Sequence, residues 1–473
     1  MTSVPDREPL TASDERILEA VAGGFPSAVD DLGRLVRIPG IAWESFDQEQ
    51  LVRSSEAVAA LARDTGLFDA VDIRRAPLAG GNGELGQPAV LAVRRAKAGR
   101  PTVMLYAHHD VQPPGDDALW ETPPFEPTLR DGRIYARGAA DDKAGVMTHI
   151  ASLRAIAETI GSDDLDLGIV LFVEGEEEHG SRSFVPFLHE NAEDMRADVI
   201  VIADSGNWDS ETPAVTVSLR GNATFQLTVR TLDHASHSGM FGGAVPDAMM
   251  ATIRLLSTLW DENGSVAVEG LAHRDAETPA YDEAQLRVET GLLEGVSPVG
   301  DGTILSRIWN KPTVTVTGVD FTPVASASNT LSPEVTVVIS SRVAPGQTAA
   351  EAYAALEAHL RANAPFGAEL EFGHVDLGDG FLVDTSGWAV AEERRALADG
   401  YGKEPIDYGV GGSIPFISDL VEKFPGAQIL VTGVEDPHSR AHSPNESLHV
   451  ETFRNAIRSE TLLLARLDAR DSA

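Results

Sequence analysis

Three short apolar runs in this chain of 473 residues each lead straight into side chains that carry charge or ligate metals. Residues 102–106 run into His108, His109 and Asp110. Residues 167–173 run into Glu174, Glu176, Glu177, Glu178 and His179. Residues 198–202 run into Asp204. The runs are rich in β-branched and bulky residues and too short for ordinary helices, so they read as buried strands. A strand that is apolar along its length and ends in a carboxylate or imidazole points to an α/β sheet. Such sheets keep their ligand sites where strand becomes loop.

Segments before and between the runs carry helical periodicity at 14–36, 48–65 and 143–160, with Gly161 as a stop signal. Residues 90–93 form a further strand. Strands alternating with helices imply a mostly parallel sheet flanked by helices. The character changes after Asp204. Segments 214–219, 223–230, 313–319, 334–342 and 369–374 alternate in the manner of antiparallel strands. Segments 246–260 and 349–364 read as helices, and 261–302 as loops and short helices. The first pattern then resumes, with a helix at 386–400, a strand at 429–434 and a last helix at 450–469. The expected organisation is therefore an α/β domain from 1–213 and 379–473, with an α+β domain inserted at 214–378.

Size alone calls for more than one core. A net charge of -36 and no standing basic patch argue against a nucleic-acid partner. The apolar runs are too short to span a bilayer, and the first fourteen residues lack the pattern of a secretory signal, so no membrane role and a cytoplasmic location are expected. There is no cysteine, so a metal would rest on His, Asp and Glu.

Five clusters carry the chemistry. His108 with Asp110 is the pairing that holds a ligating imidazole in one tautomer. Asp141 and Asp142 follow the small-residue loop 136–140, where Asp142 is equally read as a helix N-cap. Four carboxylates within 174–178 repel one another unless a cation neutralises them. Coordination by one, with its neighbour free to accept a proton, explains their crowding. Asp204 ends its strand, and His442 lies in the late loop 440–446. His109, His179 and His234 read as packed or exposed residues rather than ligands.

The motifs YAHHDVQP, YARGAADDKAG, EGEEEHGS, IADSG and AHSPNE, together with HSGMFGG and GGSIP, resemble in order and style the di-zinc exopeptidases and amidohydrolases. That family holds carnosinases, bacterial dipeptidases, carboxypeptidase G and aminoacylases. The resemblance spans nearly the whole chain and is nearest to the carnosinase-like dipeptidases. It implies two divalent ions per chain, Zn²⁺ first, with Mn²⁺ or Co²⁺ as alternatives. Asp141 would bridge them, His108 and Asp204 would complete one site, and Glu178 and His442 the other. Asp110 would orient His108, Glu177 would be the general base, and the 141–142 peptide would be cis. In the inserted lid or dimerisation domain, His237 would stabilise the oxyanion in a partner chain of a homodimer. Asn329, Arg342, Gly411, Gly412 and Ser413 would bind a small peptide substrate. Gly409 and Val410 stand where this branch often carries Arg-Glu. The function implied is hydrolysis of dipeptides or short peptides. The alternatives are deacylation of N-acyl amino acids and a non-catalytic metal-binding protein.

Overall fold

A computed structural model describes residues 10–81, 83–274, 276–411 and 416–470. The chain divides into two compact units. One is built from residues up to 217, 383–408 and 419 onward, and the other from 218–382 and 409–418.

The first unit holds a six-stranded sheet in the order Ala70–Arg74, Ala89–Arg94, Gly168–Glu174, Thr102–His108, Val199–Ile202, Gln428–Val431. The last four strands are mutually parallel, and the first two are antiparallel additions at one edge. The three central strands are apolar without alternation because both faces are covered. On one face Val103, Leu105, Leu171 and Val201 join a core with Met147 and Ile150 of helix Lys143–Thr159. On the other, Phe172 packs on Phe184 and Phe187 of helix Phe184–Glu190. Helices Ala12–Val36 and Val450–Asp468 pack on Lys143–Thr159.

Helix Ala12–Val36 starts in a capping box, with Thr11 and Asp14 exchanging hydrogen bonds. Its other end is tied to the site region. The buried Lys143 ammonium donates to the carbonyls of Leu35 at 2.9 Å and Ile38 at 2.6 Å. A small ribbon pairs Ser447–His449 with Arg133–Tyr135, and that strand with Thr128–Arg130. It brings a late stretch of chain beside the loop that follows Tyr135.

The second unit is an antiparallel sheet in the order Thr313–Asp320, Glu334–Val343, Gly221–Arg230, Glu369–Gly378. Its two central strands alternate buried and half-buried residues with period two, which is the signature of one packed face. Phe225, Leu227, Val337 and Ile339 fill that face against Leu255 of helix Ala248–Leu256 and Leu356 of helix Ala349–Ala362. The helix expected at 246–260 is shorter than its periodicity suggested. Asp247 caps it at the start, accepting from Met250 N at 3.2 Å, and it tightens into a 3₁₀ turn over Ser257–Leu259.

Candidate active site

The C-terminal ends of the parallel strands carry the acidic and His clusters to one edge of the sheet. His108 closes its strand in register with Glu174. Its Nδ1 faces Asp110, 3.1 Å from the carbonyl and 3.5 Å from Oδ1. The Asp110 carboxylate, fully buried, also accepts the backbone N–H groups of Glu177 at 3.1 Å and Glu178 at 3.2 Å. One side chain therefore fixes both the imidazole and the turn that presents the two glutamates.

The Nε2 of His108 lies 3.2 Å from Asp141 Oδ1, 3.9 Å from Glu177 Oε2 and 4.0 Å from Asp204 Oδ2. The second imidazole mirrors the first. His442 Nε2 is 3.0 Å from Asp141 Oδ2 and 3.1 Å from Glu178 Oε2. Two groups result, His108–Asp141–Asp204 and Asp141–Glu178–His442, with ligand atoms in each within 4.8 Å of one another. Asp141 belongs to both. Imidazole and carboxylate donors without thiolate suit Zn²⁺, Mn²⁺ or Co²⁺.

The Asp141–Asp142 peptide is cis. Asp142 makes no capping hydrogen bond to its helix. Asp142 does stand at the N-cap position, but its Oδ2 accepts the His108 N–H at 3.1 Å instead of capping the helix. The four-glutamate run also separates. Glu174 accepts from the Tyr106 hydroxyl at 2.8 Å, and Glu176 from the Ser183 N–H at 2.8 Å, whereas Glu177 and Glu178 face the imidazoles.

The loop from Ala136 to Asp141 is anchored by Glu446, a residue to which sequence reasoning assigned no role. Its buried carboxylate accepts from Arg137 Nη1 at 2.6 Å and from the N–H groups of Gly138 and Ala140 at 3.0 Å and Asp141 at 3.2 Å. The available signal was Arg137, since a cation inside a small-residue loop needs a buried partner. Gly138 is required there. It sits at φ +77°, and a Cβ would meet Val111 Cγ1 at 2.5 Å. The loop carrying His442 has left-handed backbone at Arg440, His442 and Asn445. Asn445 braces it by donating to Leu119 O at 2.9 Å and accepting from Glu121 N at 2.8 Å.

The electrostatics show a cluster short of positive charge. Burial, with Asp141 adding to it, lifts Glu178 to about 7 against the pull of His442. Burial lifts Asp204 to about 6, with His108 opposing and Asp141 assisting. Glu177 is pushed well above the carboxylate range by burial, with His108 opposing and Asp204 and Glu178 assisting. Burial works against ionisation of Asp141, but hydrogen bonds to His108 and His442 outweigh it and hold that carboxyl low. Hydrogen bonds to Asp141 and Glu178 draw His442 up to about 11. Two divalent cations would supply the missing charge. Glu435 is a further carboxylate in this field that sequence reasoning missed. It follows the Gln428–Val431 strand and bridges to Gly206, two residues past Asp204. Burial lifts it well above its ordinary value, and Asp141 and Asp204 add to the effect.

The other histidines behave as read. His179 stacks on Trp43 at 4.7 Å, and His234 is exposed beside Asp233. His109 is buried, with Nε2 2.8 Å from the Pro88 carbonyl.

In the second unit, His237 is exposed and opposes Thr330 in a two-residue ladder, not in a free loop. The neighbouring Asn329 carbonyl accepts the Ser238 N–H at 2.9 Å. Arg342 lies in strand Glu334–Val343, opposite Asn222 and Thr313. The buried Arg220, which the sequence did not single out, donates from Nε to Gly411 O at 3.0 Å. Burial draws Arg220 down to about 10, and the Arg342 charge adds to this. Gly409 and Val410 complete strand Ile406–Val410. Gly412 and Ser413 lie outside the described residues.

Residues 104–466 match peptidase family M20/M25/M40. The chain is similar to the cysteinylglycine-S-conjugate dipeptidase of Corynebacterium striatum, 37% identical over 364 residues that cover 76% of this chain and 79% of that protein. It is also similar to the Cys-Gly metallodipeptidase dug1 of Schizosaccharomyces pombe, 26% identical and covering 95% and 97% of the two chains. The fold matches human carnosine dipeptidase 1 with a TM-score of 0.78 at 22% identity, over 98% of this chain and all of that one (100%).

Proposed function

The chain belongs to peptidase family M20/M25/M40, and from that membership we propose that it hydrolyses the amide bond of dipeptides or short peptides at a two-metal site. The observation that carries this reading is Asp141, whose two oxygens face His108 and His442 respectively. His108, Asp141 and Asp204 would hold one divalent ion, and Asp141, Glu178 and His442 the other, with Zn²⁺ the first choice. Bound there, the pair supplies Lewis acidity that polarises the scissile carbonyl and makes water acidic near neutral pH.

The chain's own groups do the rest. Glu177 takes the proton from the attacking water and returns it to the leaving amine. Asp110 holds the His108 ring and, through two N–H groups, the position of Glu177. By the family resemblance, His237 and Asn329 would act on the reacting carbonyl, and Arg342 would receive the substrate carboxylate as a guanidinium fork. By the family resemblance alone, Gly411, Gly412 and Ser413 would bind the same substrate. The second unit pairs with its copy in a homodimer, and the enzyme acts in the cytoplasm. No helix among the described residues is long and apolar enough to cross a membrane.

Dipeptides are preferred over N-acyl amino acids because of Glu435. No ion pair engages its carboxylate among the described residues, and a free α-amine is the charge it would accept. The test is a hydrolysis panel run with the protein as purified and after chelation. Cys-Gly and its S-conjugates head the panel, since the C. striatum relative is named for them, with N-acetyl amino acids as controls. Cleavage of dipeptides that depends on metal supports the proposal. Cleavage only of N-acyl substrates, or activity unchanged in metal-free protein, would overturn it.

A further inference from the structure

The sheet and three helices of the first unit line a small cavity. Thr148 lines it from helix Lys143–Thr159, Glu393 from Trp388–Tyr401, and Ser459 and Glu460 from Val450–Asp468. Ala203 and Thr432, just past the ends of two parallel strands, close it. Glu393 and Glu460 are 3% and 4% exposed. Neither oxygen of Glu393 has a hydrogen-bond partner, and neither does Oε1 of Glu460. Buried carboxylate oxygens are almost always satisfied, because a desolvated charge without a partner is strongly unfavourable.

A charge count shows what is missing. His149 lies between Glu460 Oε2, 2.9 Å from its Nδ1, and the Tyr106 carbonyl, 2.9 Å from its Nε2. The Tyr106 carbonyl only accepts, so Nε2 carries a proton; an ionised Glu460 opposite Nδ1 then holds a second proton on the ring and makes it a cation. It neutralises Glu460. Arg394, next to Glu393 in the chain, pairs with Asp407. The charge on Glu393 is left over. The hydroxyls are turned the same way. Thr148 donates to Ala144 O and Ser459 to Asn455 O, each at 2.8 Å, which leaves only lone pairs for the cavity.

We infer that this cavity binds one small monovalent cation, an alkali ion or ammonium, between Glu393, Glu460 and the hydroxyl oxygens of Thr148 and Ser459. Oxygen donors suit such a hard ion. Single charge follows from the single unneutralised carboxylate. Its place in the fold gives it a task. Ala203 leads into Asp204 and Thr432 leads toward Glu435, so the ion braces two strand ends that enter the active site. The competing occupant is a proton, since burial alone raises Glu393 to about 8, with Arg394 opposing.

Thermal unfolding of the metal-loaded protein in equal-strength LiCl, NaCl, KCl, RbCl, NH₄Cl and choline chloride separates the two. At least one of the small cations should raise Tm above the choline value by about 2 °C or more. Glu393→Gln should abolish that difference. A wild-type series in which choline equals every small cation overturns the proposal in favour of a proton shared by the two glutamates. A difference that survives in Glu393→Gln overturns the assignment to this cavity. Should that variant not fold, wild-type crystals grown with the more stabilising of K⁺ and Rb⁺ decide. An anomalous peak between Glu393 and Glu460 supports the proposal, and featureless density there ends it.

Discussion

Glu446 accepts the backbone N–H of Asp141 at 3.2 Å while pairing with Arg137 at 2.6 Å, and all three groups are buried. A late side chain thus sets the position of the residue that both imidazoles face. Truncation by Glu446→Ala leaves the Arg137 guanidinium buried and unpaired, a loss of about 3–5 kcal/mol. Denaturant unfolding should show that loss, together with weaker metal binding. The double variant Arg137→Met, Glu446→Leu should recover much of the stability but not the metal affinity, because the Asp141 amide stays unheld. A Glu446→Ala protein with unchanged stability would refute the anchor.

Glu177 and Glu178 are adjacent yet face different partners. Glu177→Gln should lower kcat by about two to four orders of magnitude and leave metal content near wild type. Glu178→Gln and His442→Ala should each lower the metal content toward one ion per chain, and Asp141→Asn should empty both positions. Elemental analysis beside initial rates checks this. Full metal content in Asp141→Asn would remove Asp141 from the bridging role.

His109 gives a pH signature. Burial draws it down to about 4 from the ordinary 6.5. Above about pH 6.5 it is neutral whether folded or unfolded. Between 6.5 and 4 the unfolded chain takes up a proton that the folded one refuses, so stability falls with acidification and the loss is complete below 4. His109→Leu removes this term. In chelator-treated protein, urea unfolding at pH 7 and pH 4.5 should show the variant losing about 2–3 kcal/mol less than wild type. Equal losses would mean that His109 becomes protonated in place.

His237 is exposed in its own unit, where it opposes Thr330. His237→Ala should retain both ions and lose most turnover, consistent with a loss of about 3–4 kcal/mol of oxyanion stabilisation. Mixing it with Glu177→Gln should restore partial activity, since one heterodimer site has both groups intact. Absence of rescue after demonstrated subunit exchange would place His237 outside a composite site.

What could be read in the sequence follows from burial. The central strands were legible because both faces are covered, so 102–106, 167–173 and 198–202 carry unbroken apolar runs. Ala70–Arg74 left no such mark, because it is an edge strand with no fully buried residue and no period-two alternation. Arg133–Tyr135 and Ser447–His449 are three residues each and exist through pairing with one another, which no local pattern announces. At the site, the residues standing at the ends of the buried strands were legible by position. The direction of each side chain was not, so only the family resemblance, and not the strand pattern, told Glu177 and Glu178 from Glu174 and Glu176. Glu446 was hidden for a different reason, since three of its four donors are backbone groups that look alike in any sequence.

The tie between Asp141 and Glu446 joins positions 305 residues apart. During synthesis, a ribosome that has delivered His108, Asp141, Glu178 and Asp204 still holds back His442, Glu446 and the Gln428–Val431 edge strand. The nascent chain therefore carries its acidic cluster with the Asp141 loop untied and one imidazole missing. Competence to cut peptides should arise only when the last segment emerges. A messenger cut short upstream of that segment would yield an inert protein, not a truncated peptidase loose among newly made chains.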